Sequence, residues 1–167
     1  MARSSSGVRR LCVCVGAPSP GLLDRACQTG GFGRLYTERF MDAERLPVRA
    51  IDLGFASPGV DEAGLISDLI SILRDEAAEA AAQDTGASAP VLAAFHVGIT
   101  RVEGDCVRGS AVDRIIRLLH DLTLVTAPSA TLIAGMSASL FGDIRTEFDV
   151  GMGWFPLRTA EAVCRTY

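Results

Sequence analysis

AAFHVGITRVEGDCVRGSAVDRIIRLL, Ala93 to Leu119, is the stretch on which the reading of this chain turns. Val91 to Ile99 is apolar or small at almost every position, which fits a strand buried on both faces. Glu103-Gly104-Asp105 has the residue types of a hairpin turn. Beyond it Val112, Ile115, Ile116 and Leu119 recur at helical spacing, which predicts a helix over Ser110–Asp121. Asp113 and Arg117 stand four apart on that helix and share one of its faces. Gly109 lies just before it, where backbone can approach a ligand closely and helix N–H groups favour an anion. Plainer roles stand beside these. Ser110-x-x-Asp113 also reads as a capping box. Arg117 also fits a surface arginine or an ion-pair partner of Asp113 or Asp121, and His96 fits a core histidine. His120 fits a partner for the last helix carbonyls.

Outward from this stretch, strands and helices alternate. Residues 1–7, MARSSSG, read as a flexible tail, and 8–167 as one domain. Leu11–Val15 is a short apolar run ended by Gly16-Ala17-Pro18, as in a central strand. Leu22 to Ala43 has a helical pattern broken at Gly30–Gly33, which predicts a short helix, a break, and a second helix over Arg34–Ala43. Pro47 ends it, and Val48–Ala56 is a strand candidate. Asp61 is placed to cap a helix reaching Ala82, with Leu65, Leu69 and Leu73 in one row and Ile66 and Ile70 in another. Thr131–Ala134 reads as a strand, Ser137 as the cap of a short helix to Phe141, and Phe148–Phe155 as a last strand. This order predicts an α/β or α+β sandwich: a mixed sheet with helices on one face.

Composition narrows the chemistry. The chain has 167 residues, 49% of them hydrophobic, and a net charge of −4. That fits one globular domain. All 16 basic residues are arginine, and there is no asparagine, so no ammonium or Asn carboxamide can come from this chain. The acidic balance, with no basic cluster beyond Arg9-Arg10, argues against nucleic acid. No apolar run approaches the ~18 residues that cross a bilayer, and Leu11–Val15 is too short for a signal-peptide core. A cytoplasmic location is therefore expected. The five cysteines form no CxxC pair and read as small buried hydrophobes, with Cys12 and Cys14 on one strand face.

His96-x-Gly98, a hairpin, and then Gly109-Ser110-Ala111-Val112-Asp113-Arg114-Ile115-Ile116-Arg117-Leu118 resemble the second half of class III adenylate/guanylate cyclase domains, whose usual wording is H-x-G followed by G-x-x-V-N-x-A-A-R-L. Leu132–Ile144, LIAGMSASLFGDI, is similar to that family's strand and serine-capped short helix. The compact stand-alone domains of actinobacteria are the nearest in appearance. The resemblance implies a ferredoxin-like βαββαβ core, a mostly antiparallel sheet, and a dimer with the nucleotide between subunits. Two aspartates would hold Mg²⁺ or Mn²⁺ if the domain is active. A helix asparagine would orient the ribose, and an arginine one turn later would steady the transition state.

Carried onto this chain, Arg117 keeps the arginine position and Asp113 replaces the asparagine. Gly109, Ser110 and Cys106 fall at the nucleotide, Cys106 near a purine-selecting position. The first metal aspartate is missing, since Gly16 or a neighbour stands there, and Asp24 is the nearest carboxylate downstream. Ala50-Ile51-Asp52-Leu53-Gly54 is too short for the family's second-aspartate hairpin and leaves Asp52 as the metal candidate. The purine-selecting lysine is absent. The resemblance therefore implies a catalytically degenerate domain with a regulatory, nucleotide-sensing or interaction role, paired with itself or with another cyclase-like chain. An active divergent nucleotidyl cyclase is the alternative.

Overall fold

In the computed structural model, residues 6–18, 21–29, 36–40, 50–84, 86, 89–103, 106–146, 153–157 and 162–167 are described. Their elements run β1 (Val8–Ala17), α1 (Leu22–Thr29), β2 (Tyr36–Phe40), β3 (Ala50–Phe55), α2 (Glu62–Gln83), β4 (Val91–Glu103), β5 (Cys106–Arg108), α3 (Ser110–Leu122), β6 (Leu132–Ser137), α4 (Ala138–Ile144), β7 (Phe155–Pro156) and β8 (Ala162–Thr166).

β1 sits in the middle of the sheet because it has no wet face. Leu11, Val13, Val15 and Ala17 pack into one apolar cluster, and Cys12 and Cys14 into another. It pairs antiparallel with β3 on one side and β4 on the other. β2 pairs antiparallel with β3 at the edge. The first four large strands thus lie in the order β2-β3-β1-β4, with α1 and α2 as the two connections. That is the ferredoxin-like βαββαβ arrangement, and Leu22, Leu23, Ile66, Leu69 and Leu73 place both connecting helices on one face of the sheet.

The chain then extends this core. β4 and β5 form the expected hairpin, with Glu103 opposite Cys106; its turn, residues 104 and 105, lies outside the described residues. α3 carries the chain across the opposite face, where Ala111, Val112, Ile115, Leu118, Leu119 and Leu122 pack on Cys12, Cys14, Leu92 and Ala94. β6 returns parallel to β4. β8 and β7 then close the sheet antiparallel. α1 and α2 therefore share one face, whereas α3, outside the βαββαβ unit, covers the other, so that helices lie on both faces and not on one.

Two expectations need correction. Tyr36–Phe40 is not part of a helix over Arg34–Ala43: it is β2, in register with Ile51–Phe55. The rest of that predicted helix lies outside the described residues. Ala50–Gly54 is also not too short for a hairpin, because β2 and β3 pair over five positions. Local propensity suits a helix here, but the open edge of β3 supplies hydrogen-bond partners that an isolated segment lacks. β8 was not expected at all, and residues 148–152 of the predicted last strand are not described.

Helix ends follow local chemistry. Asp61 caps α2 as predicted, its side chain accepting from Gly64 N at 3.0 Å. At α3 the N-cap is Gly109, with φ +132°, and no side chain caps the helix. A Cβ on Gly109 would stand 2.7 Å from the Ile99 carbonyl oxygen. Gly109→Ala combines that backbone clash with a disfavoured dihedral and is expected to cost about 1–3 kcal/mol. Urea unfolding monitored by circular dichroism measures this.

Candidate functional site

The residues of the 93–119 stretch meet at the start of α3. Gly98 on β4 makes room for the helix: a Cβ there would lie 2.8 Å from Ala111 Cβ and 3.0 Å from His96 Nε2. β5 runs beside the helix start. Between them opens a groove of about 300 Å³ lined by Cys106, Val107, Gly109, Val112, Asp113 and Ile116, with Arg108 at its rim. Its walls are mixed: Val107, Val112 and Ile116 are apolar, and Arg108 and Asp113 bring opposite charges to them.

The sequence-predicted residues are only partly gathered. Cys106, Gly109 and Asp113 share the groove, and Ser110 is the first residue of α3, exposed beside it. Arg117 is exposed one turn further along the same helix. Ser110 and Asp113 form no capping box, because the cap position belongs to Gly109 and no side-chain cap bond is made. Among the described residues no ion pair joins Arg117 to Asp113 or Asp121.

Asp52 is elsewhere. It sits on β3 opposite Val15, and its neighbours Ile51 and Leu53 turn towards α3. Its own side chain therefore turns to the α1 face. There it is buried, and Oδ2 accepts from Gly21 N at 3.1 Å, just before α1. This carboxylate serves the start of a helix, where N–H groups need acceptors. Val15, Gly16 and Ala17, the β1 residues paired with positions 50–52, carry no acid. Among the described residues no three His, Cys, Asp or Glu side chains converge as metal ligands.

His96 shows the role of an internal histidine. It is 7% exposed, and Nδ1 lies 2.9 Å from Ser137 Oγ, which is itself 3.4 Å from Ser139 Oγ. Ser137 occupies the N-cap of α4 but makes no side-chain cap bond, its hydroxyl serving His96 instead. Burial first, then the charge of Arg114, holds the imidazole pKa below its ordinary value. The same physics acts on two thiols of β1: burial pushes Cys12 up to about 12 and Cys14 higher still, Asp52 adding to the latter.

No protein-family model matches the chain, and no curated protein does. Solved structures do. An adenylate/guanylate cyclase/hydrolase from Silicibacter pomeroyi is 11% identical, covers 97% of this chain and 99% of its own, and superposes with a TM-score of 0.55. The dimeric guanylyl cyclase domain of the RhoGC fusion protein from the aquatic fungus Blastocladiella emersonii is 15% identical, with 97% and 96% covered and a TM-score of 0.57. A bacterial light-regulated adenylyl cyclase is 11% identical over 99% of this chain, with a TM-score of 0.54. This chain spans about half the length of that last protein, 53%. At such identities the likeness is one of fold, and the fold is that of adenylate/guanylate cyclase domains.

The lowered His96 pKa sets a pH dependence. The unfolded chain binds the proton more readily than the folded one, so the stabilisation is complete above the ordinary histidine value of ~6.5 and is lost as pH falls from there through the folded value. Melting temperature should drop more between roughly pH 7.5 and roughly pH 5 in the native protein than in His96→Gln, which carries no titrating ring. Equal slopes in thermal denaturation would show that His96 does not titrate in this window.

Proposed function

We propose that this chain is a cyclase-homology domain that works as a regulatory, nucleotide-sensing or protein-interaction module, and not as a cyclase complete in itself. One observation carries the reading: Asp52, paired with Val15 near the end of β1, is buried and held by Gly21 N. Divalent-cation catalysis of phosphoryl chemistry needs carboxylates free to grip the ions that bridge phosphates. Losing such stabilisation costs several kcal/mol, and each ~1.4 kcal/mol is a tenfold loss in rate.

The α3 side supports a remaining role. Cys106, Gly109 and Ser110 would meet a nucleotide at the groove, beside Asp113. Arg117 would offer its guanidinium to phosphate oxygens. Asp52 and α3 lie on opposite faces of the sheet. A single protomer therefore does not bring its acid and this arginine together. That favours pairing, with Arg117 lent to a cyclase-like chain carrying two metal-binding aspartates.

The second reading, an active divergent nucleotidyl cyclase using Mg²⁺ or Mn²⁺, draws on a different observation. The β2–β3 hairpin is present, and residues 41–49, which join its strands, contain Asp42 and Glu44.

The two readings separate in one experiment. Pure protein incubated with ATP, GTP, CTP or UTP and Mn²⁺ is expected to yield no cyclic product; a product abolished by Arg117→Ala would establish the active reading instead. Mixed with a cyclase-like chain that has both aspartates, the native protein should raise that chain's activity. Arg117→Ala should remove about 10²–10³-fold of the gain, as for loss of one donor to a developing anion. No gain over the partner alone would dismiss the arginine-lending role.

A further inference from the structure

We propose that Arg74, Arg165 and the Tyr167 hydroxyl form a binding site for a phosphate-type oxyanion on the α2 face of the sheet. The site lies across the sheet from the α3 groove, so the proposal does not rest on the nucleotide reading above.

The two arginines have no acid assigned to them. Arg74 is exposed on α2, with Ile70, Ser71, Ala77 and Ala78 at the i±3 and i±4 positions, so no helix neighbour offers it a carboxylate. Arg165 stands on β8 opposite Ala134 of β6, and its diagonal neighbours there, Leu132 and Met136, are apolar. Among the described residues neither arginine makes an ion pair. The chain has 20 acidic residues to 16 arginines, so carboxylates are not scarce.

Both arginines meet at Tyr167. The Arg165 guanidinium carbon lies 4.8 Å from the centre of the Tyr167 ring, and that of Arg74 lies 6.0 Å from it. Arg165 and Tyr167 stand two apart on one strand and share its face, and Arg74 comes from the helix covering that face. A ring face attracts cations but carries no net charge, so both positive charges remain uncompensated.

The backbone holds this arrangement in place. Tyr167 N donates to Leu132 O at 2.9 Å, and Tyr167 O accepts from Thr131 N at 2.8 Å. Gly153, with φ +123°, passes beside Arg165, and a Cβ there would stand 3.4 Å from Nε. Arg165 and Tyr167 are half-buried, so water screens their charge less than on an open surface. Burial raises the phenol pKa, and the charges of Arg165 and Arg74 act in the opposite sense. Both guanidinium groups are therefore felt at the hydroxyl oxygen. A tetrahedral oxyanion beside that oxygen would accept the phenol O–H and N–H groups from both forks. A phosphate, with roughly −1.5 to −2 charge near neutral pH, matches two guanidinium charges. Bound there, it would tie α2 to β8.

Isothermal titration with inorganic phosphate, at ionic strength matched by chloride, tests this. The native protein is expected to bind phosphate and to melt at a higher temperature with it than with chloride. Arg74→Ala changes an exposed residue and should weaken binding about tenfold or more, as for a lost charge-assisted bond. Arg165→Ala should do the same. Tyr167→Phe keeps the ring and should weaken binding about fivefold. Circular dichroism of each variant separates lost binding from lost fold. A nucleoside 5′-monophosphate distinguishes the sources of the anion. Affinity equal to that of phosphate assigns the free ion; tighter binding that Arg74→Ala removes assigns a phosphate ester. A native protein with neither heat nor a phosphate-specific rise in melting temperature overturns the proposal. So does phosphate binding that Arg74→Ala and Tyr167→Phe leave unchanged, which would reduce the two arginines to packing on the ring. Either failure leaves the cyclase-homology reading standing, because its assays turn on Arg117.

Discussion

The seat of α3 on the sheet depends on two missing β-carbons. At Gly98 the helix comes so close that a methyl would stand 2.8 Å from Ala111 Cβ, and at Gly109 the turn into the helix would bring one 2.7 Å from the Ile99 carbonyl oxygen. Both contacts lie well inside van der Waals distance, and neither neighbour at Gly109 is a mobile side chain. With those atoms absent, the apolar face of α3 reaches Cys12, Cys14, Leu92 and Ala94. The groove, the direction of Asp113 and the exposure of Arg117 all follow from that docking. Packing thus sets the site's geometry before any polar contact does.

The sheet then separates chemistry that the order of residues alone would leave together. β1 is buried on both sides, so alternate side chains on it and its neighbours belong to different compartments. Asp52 falls in the compartment of α1, Asp113 and Arg117 on the helix covering the other. Shifting β3 by one residue against β1 would send Asp52 to the α3 side and Ile51 and Leu53 to α1. The apolar demand of the α3 face, met by Ile51, Leu53 and Phe55, holds the register and with it the position of the acid.

Legibility in the sequence followed the strength of local pattern. β1, α2, β4 and α3 could be read because a buried strand needs a continuous apolar run and a packed helix needs one apolar stripe. β2 could not. RLYTERF has no strict alternation, and its residues suit a helix as well as a strand; only the edge of β3 decides the matter. β8, AVCRT, is too short to show a period, and its partner β6 is where its identity comes from. At the site, the spacing of Asp113 and Arg117 and the glycine before them were visible because helix geometry fixes them. Three features were not. The capping position went to Gly109 over Ser110 because the backbone had to turn away from Ile99. The Ser137 hydroxyl went to His96 rather than to its own helix. The facing of Asp52 required knowing which residue of β1 stood opposite it.

Asp52 shows why residue type alone cannot assign a metal ligand. Here the carboxylate serves a backbone N–H at the start of α1. A cation that took Oδ2 from Gly21 N would leave that donor without an acceptor in a part-buried place, a loss of about 1–3 kcal/mol set against whatever the ion returns. A second acid beside it could tip that balance by supplying more charge, but Val15, Gly16 and Ala17 offer none from β1. Whether this chain acts as an enzyme or as a partner to one therefore turns on which acids come beside Asp52. Asp24 stands in the first turn of α1, three residues past Gly21.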